Sequence, residues 1–398
     1  MLNKKNLFSL LLFVLVWTFL EGILGVFFAI KNGSWSTPTE LFAESYSKSY
    51  QVKDCNWSDQ IALHPYFGFR YLKNSVCRTV PVNNFNLPGP EIPWEKDEQF
   101  YTVLVLGGSV AETLAAQTDG ITKSSLQEVV NSRFKAKDGR RIQIINASMA
   151  AGVQPMQLIA YQFFHSIADA VISIEGYNEN NKYRNFQSFL QPPHIWNELL
   201  EKPNTENSYV SASTLHNRWK NIFRNHLVNH SFILYLFFQI GDSFFQWIKK
   251  MGSQGQTIDQ AIPHFPDSWD SKKKHHDFLT RYSDTLLSAR FLAKQFKQEY
   301  FVFFQPTPST AKVLTLEETK LVGNLNYMNS YTEMKTELIK IPRSKEFIFD
   351  LENTFNKTKD SVYVDPIHNN KLGKTLLATR ISEILAMKLG WKDLSVRR

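Results

Sequence analysis

The chain has 398 residues, of which 43% are hydrophobic, and no low-complexity tract interrupts it. This length and composition indicate a globular protein with one large domain or two ordinary ones. The net charge of +8 is spread along the chain without a basic and aromatic groove pattern. That distribution argues against nucleic-acid binding and favours anionic surfaces, such as phospholipid headgroups or acidic glycans.

The N-terminus carries an apolar run, from Leu7 to Ile30, preceded by Lys4 and Lys5. About 20 apolar residues cross a bilayer as a helix, and basic residues before the run favour a cytoplasmic N-terminus. The run therefore predicts a cytoplasmic stub over 1–6 and a transmembrane signal anchor over 7–30, in a single-pass inner-membrane protein with its main domain on the periplasmic or extracellular side. A cleaved signal peptide over Leu7–Leu20 is the alternative. Glu21 counts against a full span, because a carboxylate is costly near the middle of a bilayer.

Residues 31–98 are predicted to form an irregular lead-in, since proline, asparagine and aromatic residues are scattered through it. The two cysteines of the chain, Cys55 and Cys77, both lie in this stretch. On the oxidising side of a membrane they could form a disulfide, and two buried free thiols are the alternative.

From residue 99 the pattern predicts an α/β domain that extends to residue 395. Short apolar runs typical of buried parallel strands alternate, in the first part of the domain, with segments of helical length. This alternation predicts a three-layer α/β/α fold with a parallel, flavodoxin-like sheet. The predicted strands are Tyr101–Leu106, Ile142–Ile145, Ala170–Ile174, Tyr300–Phe304 and Phe347–Phe349, and the predicted helices include Lys123–Phe134, Met156–Phe164 and Gly373–Leu389.

A helical insertion over about 180–280 interrupts this alternation. Its segment Phe232–Ile248 is apolar, but Gln239, Asp242 and Gln246 make it too polar to cross a membrane. It is either a lid or interfacial helix beside the anchor, or an ordinary buried helix. The run Lys272–Asp277 suggests a solvated, charged helix start more than a metal or anion site, because no further ligands follow at a recognisable spacing.

Two weak signals for nucleophilic chemistry lie at opposite ends of the domain. Ser109 follows the first predicted strand directly, after Gly107 and Gly108, where the edge of an open parallel sheet collects functional groups. Near the last helix, Asp365 precedes His368 by three residues, so its carboxylate could orient the ring that deprotonates a serine. Each has a structural alternative, a helix N-cap for the serine and a surface loop for the Asp-x-x-His sequence.

Two further positions follow predicted strands. Asn178 comes after the strand Ala170–Ile174, and its side-chain NH₂ could donate to an oxyanion, although asparagine is also a favoured turn residue. Gly152 follows the strand Ile142–Ile145 in the sequence Ala-Ala-Gly, where a glycine allows close approach of a backbone N–H to a substrate, or simply a turn.

Taken in order, these positions resemble the four blocks of the SGNH (GDSL-like) hydrolase superfamily over roughly residues 100–390. The resemblance implies Ser109 as the nucleophile, whose own amide is also a donor. Gly152 and Asn178 would complete the oxyanion hole, and His368 would be the base oriented by Asp365. It implies no metal and no organic cofactor.

The segment Gln154–Gln157, followed by Gly-Tyr-Asn-Glu, is similar to a bacterial, membrane-anchored branch of that superfamily. Three positions depart from the usual pattern. Gly108 replaces the usual aspartate before the serine, Glu179 replaces the aspartate after the asparagine, and Ala151 competes with Gly152 as the oxyanion donor. These departures put the placement of the substrate in doubt more than the proton transfers.

We therefore expect a serine esterase acting on ester-linked, for example O-acetyl, groups of cell-envelope glycan or lipid. The alternatives are an O-acyltransferase that uses the same site and a catalytically silent SGNH-like module that binds glycan or a partner. A membrane-tethered scaffold would leave the ordered motifs unexplained. An α/β-hydrolase fits less well, because its nucleophile elbow reads Gly-x-Ser-x-Gly and its Asp and His lie on separate loops.

Overall fold

The computed structural model describes residues 4–42, 60–72, 82–116, 124–192, 215–216, 218–219, 222–223, 230–252, 264–308, 312–323, 325 and 327–395. Cys55 and Cys77, and with them the predicted disulfide, lie outside these ranges. The chain divides into two compact units. We call Met1–Ser58 with Asn197–Gln260 the N-terminal unit, and Asp59–Trp196 with Ala261–Arg398 the sheet unit.

The strands of the described residues all belong to the sheet unit. They are β1 (Ile61–His64), β2 (Gly68–Tyr71), β3 (Phe100–Gly107), β4 (Phe134–Lys135), β5 (Arg141–Asn146), β6 (Ala170–Glu175), β7 (Glu299–Phe304), β8 (Ile348–Asp350) and β9 (Lys392–Asp393).

The longer helices of the described residues are divided between the two units. They are α1 (Lys4–Asn32), α2 (Ser109–Ala115), α3 (Ser125–Arg133), α4 (Met156–Phe164), α5 (Tyr177–Arg184), α6 (Phe232–Gly252), α7 (Ser271–Gln295), α8 (Leu316–Val322), α9 (Met328–Ile339) and α10 (Lys371–Leu389). Of these, α1 and α6 belong to the N-terminal unit.

The central sheet has five parallel strands in the order β5-β3-β6-β7-β8. This is the 2-1-3-4-5 order of flavodoxin-like folds, in which ligands bind where the strand order reverses, at the carboxyl ends of the strands. Val105 in β3 pairs with Asn146 in β5 and with Ile172 in β6, so the reversal lies beside β3. The predicted α/β class with a parallel sheet is confirmed, and the five predicted strands match β3 and β5–β8 to within one residue at each end.

Two groups of helices cover the sheet. Helices α2, α3 and α10 pack against one another, and so do α4, α7, α9 and α5. Strand β3 contacts both groups, through α2 and through α4. Its segment Val103–Leu106 is fully buried, as expected for a strand covered on both faces.

The predicted boundary at residue 98 differs from the boundary of the sheet unit, which begins at Asp59. Within the predicted lead-in, β1 and β2 form an antiparallel hairpin. Phe67, Phe69 and Tyr71 are buried, so apolar burial draws this stretch into the core of the sheet unit.

In the N-terminal unit, α6 packs against α1. A buried aromatic and aliphatic cluster lies between them and joins the short turn that follows α1. Helix α1 is long and apolar enough, by length and composition, to cross a membrane over Phe8–Asn32, and only 6% of its most apolar window is buried. The cluster comprises Phe28, Leu41, Phe42, Phe223, Phe232, Tyr235 and Phe238.

Candidate active site

Ser109 is the first residue of α2 and follows β3 through a sharp turn at Gly107 and Gly108. Gly107 adopts a φ of +139°, a conformation that side chains rarely allow. A methyl group on its Cα would also lie 2.4 Å from the Ile174 carbonyl oxygen and 2.6 Å from the Ala111 Cβ. Glycine is therefore required here, and the turn holds Ser109 at the carboxyl edge of the sheet, beside the reversal of strand order.

Asp365 and His368 lie in a tight loop between Tyr363 and Asn369, which form a β-bridge. The Val364 N–H donates to the His368 carbonyl oxygen at 3.0 Å and closes the loop. The Asp365 Oδ1 atom accepts the backbone N–H groups of Ile367 at 2.8 Å and His368 at 2.7 Å. The backbone of the loop therefore holds the Asp365 carboxylate in place independently of its contact with the His368 ring.

The structure joins Ser109, His368 and Asp365 in one hydrogen-bonded chain. The Ser109 Oγ atom lies 2.7 Å from His368 Nε2, and His368 Nδ1 lies 2.6 Å from Asp365 Oδ2. Burial acts to raise the pKa of Asp365, but hydrogen bonds from the His368 ring and from two backbone N–H groups outweigh it and lower the pKa to about 2. The carboxylate is therefore ionised at neutral pH and can hold a proton on Nδ1.

Asn178, in the first turn of α5, lies against the serine turn. Its Nδ2 atom donates to the Gly152 carbonyl oxygen at 3.0 Å. A methyl group on the Cα of Gly108 would lie 2.3 Å from the same nitrogen. The amide thus reaches this place because residue 108 has no side chain, and its second N–H is available for another acceptor.

Gly152 lies close to this group, but its N–H is already used. It donates to the Met149 carbonyl oxygen at 2.8 Å, which closes a turn of four residues. Ala151, inside that turn, has a φ of +59°, and its N–H has no hydrogen-bond partner in the part of the chain that the structure describes. Of the two backbone donors that the sequence left open, the geometry leaves the N–H of Ala151 available and that of Gly152 engaged.

A carboxylate that the sequence did not single out holds the same turn. Glu112, which is one turn after Ser109 on α2, is buried, and its Oε2 atom accepts the Ala150 N–H at 2.7 Å. The Tyr71 hydroxyl donates to the same oxygen at 2.9 Å. Helix α2 therefore positions both the serine and the turn that contains Ala151.

A second unpredicted carboxylate anchors the loop of Asp365 and His368. Glu318, in α8, is fully buried, and its Oε1 atom accepts the backbone N–H groups of Val362 at 2.7 Å and Tyr363 at 3.2 Å. Its other oxygen accepts the Lys312 ammonium at 2.6 Å. Burial opposes ionisation, but these donors outweigh it and lower the pKa of Glu318.

The departure at Glu179 has a structural partner as well. This buried carboxylate accepts the backbone N–H groups of Gly176 at 2.9 Å and Gln154 at 3.2 Å, so it ties the start of α5 to the segment before α4. Beside it, burial and the charge of Glu179 raise the pKa of Glu175 to about 7. Glu175 accepts the Tyr282 hydroxyl at 2.6 Å. The sequence motif contains Gln154 and Glu179, but it does not predict that they lie in one buried polar layer with Glu175.

Arg70, in β2, brings a buried cation to the turn of Met149. Its side chain donates to the Phe69 carbonyl oxygen at 3.1 Å, approaches Met149 Sδ at 3.6 Å and stacks over the Phe67 ring at 3.6 Å. Burial lowers the pKa of Arg70 to about 9. The hairpin therefore forms part of the shell around the site.

The run Lys272–Asp277 lies in the first turns of α7, and Lys272, Lys273 and His276 are exposed, as predicted for a solvated, charged helix start. His275 stacks on the Tyr183 ring at 4.0 Å, and its Nε2 atom lies 3.1 Å from the Tyr183 carbonyl oxygen. Among the described residues no group of three or more His, Cys, Asp or Glu side chains is arranged to hold a metal ion.

No family model matches the sequence, and no curated protein matches it. Solved structures similar to this chain include a GDSL-like lipase from Bacteroides thetaiotaomicron, which is 9% identical with a TM-score of 0.34 and covers 73% of this chain and 89% of that chain. They also include an acetyl xylan esterase, which is 11% identical with a TM-score of 0.35 and covers 71% of this chain and 99% of that chain. The proposal of a function therefore rests on the geometry of this chain's own residues.

Proposed function

We propose that the chain is a serine esterase that hydrolyses ester-linked acyl groups. The observation that carries the proposal is the hydrogen-bonded chain from Ser109 through His368 to Asp365 at the carboxyl edge of the parallel sheet. A serine hydroxyl needs an adjacent base to become a nucleophile, and that base needs a third group to orient it. These two distances meet both requirements without any movement of the loop.

In the proposed reaction, Ser109 Oγ attacks the ester carbonyl carbon as His368 Nε2 takes the hydroxyl proton. The tetrahedral intermediate collapses when the bond to the alcohol oxygen breaks, and His368 returns the proton to the leaving alcohol. Water then attacks the acyl-serine and gives its proton to His368. The second intermediate releases the carboxylic acid, and the proton returns to Ser109. Asp365 stays ionised and stabilises the imidazolium in both halves.

The proposed oxyanion donors are the backbone N–H groups of Ser109 and Ala151 and the Asn178 side chain. Between Ala151 and Gly152, which the sequence left open with Gly152 preferred, we assign Ala151, because the Gly152 N–H donates to the Met149 carbonyl oxygen. Donors already fixed in place stabilise a developing oxyanion without reorganisation. Asn178 is held in place through Gly152, whose carbonyl oxygen accepts one of its N–H groups.

A silent binding module is one of the alternatives, and the departures from the usual pattern at Gly108 and Glu179 bear on it. Both residues have roles that support a working site. Gly108 leaves room for the Asn178 amide, and Glu179 caps the helix that carries Asn178. A module without chemistry would not need a serine, a histidine and an aspartate in one hydrogen-bonded chain, so we favour the enzyme.

We further propose that α1 attaches the protein to an inner membrane and that the sheet unit lies on the periplasmic or extracellular side. The length of α1 and the positions of Lys4 and Lys5 support this location. An envelope glycan or lipid that carries ester groups would then be the substrate within reach. Envelope extracts incubated with the protein should release carboxylic acid, and they should not do so with the Ser109→Ala variant.

The proposal is tested on the full chain in detergent with a fluorophosphonate probe, which reacts with activated serines. We expect labelling of the wild type, none in Ser109→Ala and weak labelling in His368→Ala. The Thr113→Ala variant is a matched control, because among the described residues the Thr113 hydroxyl on the same helix hydrogen-bonds to the Val110 carbonyl oxygen alone. A folded wild-type protein that does not react would overturn the esterase and favour the binding module.

A further inference from the structure

We propose that α6 is a second membrane element and that its exposed aromatic face contacts the acyl chains of the bilayer around α1. The inference rests on the proposed membrane location of α1 and is independent of the esterase activity. It concerns the N-terminal unit alone, and it begins from the position of Glu21.

Glu21 lies in the middle of the candidate span. With 1.5 Å per residue it is about 20 Å from Phe8 and about 16 Å from Asn32, in a span longer than the hydrocarbon core of about 30 Å. As long as the hydrocarbon core lies within this span, Glu21 is inside the core. An unpaired carboxylate there would oppose insertion, so its partners decide whether the span is reasonable.

The partners of Glu21 are the first residues of α6. Its carboxylate accepts the Phe232 N–H at 2.6 Å, the Ile233 N–H at 3.4 Å and the Ser231 hydroxyl. Ser231 in turn accepts the Leu234 N–H at 3.1 Å. The first three backbone N–H groups of α6 thus all have side-chain acceptors. In water such groups need no protein partner, whereas in hydrocarbon each must have one.

Helices α1 and α6 also pack closely where the Glu21 carboxylate caps the start of α6. A methyl group on Gly25 would lie 3.0 Å from the ring of Phe232, so glycine lets that ring rest on the backbone of α1. The Phe28 ring also stacks on Phe232 at 6.1 Å and meets Tyr235 edge-on at 5.0 Å. Because α6 begins against the middle of α1, a bilayer that surrounds α1 must also meet the start of α6.

The outer face of α6 suits that environment. Large apolar side chains at helical spacing remain more than half exposed along its length, namely Phe237, Ile240, Phe244 and Trp247. Two of the polar residues that make the segment too polar to cross a membrane, Gln239 and Asp242, have partners within the N-terminal unit. Gln239 donates to the Tyr235 hydroxyl at 3.0 Å, and Asp242 accepts from His216 at 2.7 Å. The exposed face of α6 is therefore mainly apolar, with Ser243 as an exposed polar residue, and the exposed side chains of α1 are also apolar over most of its length.

The test uses the full chain in vesicles of phosphatidylethanolamine and phosphatidylglycerol, with a photoreactive benzoylphenylalanine at one position at a time. At Phe237 and Phe244 we expect an added phospholipid mass after irradiation, with a yield similar to that at Leu15 on α1. At Phe238, on the buried face of α6, the yield should be several-fold lower. Met387, which is exposed on α10, controls for chance contact with lipid.

Each result decides one point. Lipid adducts at Leu15 without adducts at Phe237 and Phe244 would overturn the inference and leave the membrane location of α1 standing. Adducts to a second copy of the chain at Phe237 and Phe244 would overturn the inference and show that a dimer contact covers this face of α6. Absence of adducts at all three positions would overturn both the location and the inference. Fluorophosphonate labelling in the same vesicles reads the esterase separately.

The cap is tested by two substitutions at Glu21 in the same vesicles. Glu21→Gln keeps one acceptor oxygen for the N–H groups of α6 and should keep most of the lipid adducts at Phe244. Glu21→Ala leaves the Phe232 and Ile233 N–H groups without an acceptor and should lower the adducts several-fold. Unchanged adducts in Glu21→Ala would show that the carboxylate does not hold α6 in the bilayer.

Discussion

Replacing Asp365 by asparagine isolates the proposed role of the carboxylate from its size and shape. An asparagine can keep its oxygen on the N–H groups of Ile367 and His368, which Asp365 Oδ1 now accepts. Its NH₂ group would then face His368 Nδ1, where the carboxylate now lies at 2.6 Å. The ring has to turn to the tautomer with a proton on Nε2, and that nitrogen can no longer take the proton of Ser109.

The expected losses in rate and in stability differ widely. The equivalent substitution in a serine protease lowers kcat by about 10⁴, which is about 5.5 kcal/mol in the barrier. The fall in the pKa of Asp365 to about 2, from an ordinary 3.8, corresponds to about 2.4 kcal/mol of folding free energy at full weight. The side chain is 41% exposed, so solvent screening reduces this to about 1 kcal/mol. Activity should therefore fall far more than stability.

The pH dependence has a definite sign. Because the pKa of Asp365 is lower in the folded state, its contribution to stability is complete above pH 3.8 and is lost as the pH falls through about 2. Wild type and Asp365→Asn should therefore differ in the free energy of unfolding at neutral pH and converge near pH 2.

The assay measures kcat for a chromogenic acyl ester and the free energy of unfolding in urea. Asp169→Asn serves as the control, because Asp169 is an ion-paired carboxylate elsewhere in the sheet unit, 2.8 Å from the Lys96 ammonium. It should lose stability without a specific loss of kcat. A value of kcat for Asp365→Asn within about tenfold of the wild type would refute the tautomer argument.

Four further predictions concern single residues. Asn178→Ala should lower kcat by roughly a hundredfold or more if Asn178 is an oxyanion donor, and an unchanged kcat would remove it from that role. Gly108→Ala should also lower kcat, because the new methyl group takes the place of the Asn178 amide nitrogen 2.3 Å away, and full activity would show that the amide can move without cost. Lys312→Met breaks a pair in which Lys312 is 1% and Glu318 0% exposed, so the free energy of unfolding in urea should fall by about 3–5 kcal/mol; a loss below about 1 kcal/mol would contradict this. The raised pKa of Glu175, about 7 against 4.5, means that its ionisation weakens the fold as the pH rises between these values, so Glu175→Gln should flatten the decline of stability over this range, and a parallel decline would contradict it.

The parallel sheet could be predicted from the sequence because each strand is covered on both faces. Such strands are continuous apolar runs. The run Tyr101–Leu106 differs from β3 by one residue at each end, and the run Tyr300–Phe304 differs from β7 by one residue at its start. The gathering of Ser109 and Asn178 follows from the same fact. Loops at the carboxyl ends of parallel strands share one edge, so each weak motif gains its meaning from the strand before it.

The backbone donor that we propose, Ala151, could not be predicted in the same way. Whether Ala151 or Gly152 offers its N–H depends on which of the two residues closes the turn that begins at Met149. The sequence Ala-Ala-Gly is compatible with either arrangement. The positive φ of Ala151 has no sequence signal, since alanine disfavours that conformation and glycine stands beside it. The roles of Glu112 and Glu318 could not be predicted either, because a carboxylate that accepts backbone N–H groups from a distant loop has no local sequence motif.

Glu21 shows how a tertiary contact changes the expected cost of a charge in an apolar run. Within the apolar run a single carboxylate counts against membrane insertion, since its cost depends on the neighbours within the same helix. Its partners, Phe232 and Ile233, lie 211 and 212 residues further along the chain. With them, the carboxylate supplies the acceptors that the start of α6 lacks. The same hydrogen bonds therefore reduce both the cost of burying the carboxylate and the cost of burying the N–H groups. If α1 spans the bilayer as we propose, the carboxylate that weakens a single span favours a pair of helices, and the tertiary contact distinguishes the two cases.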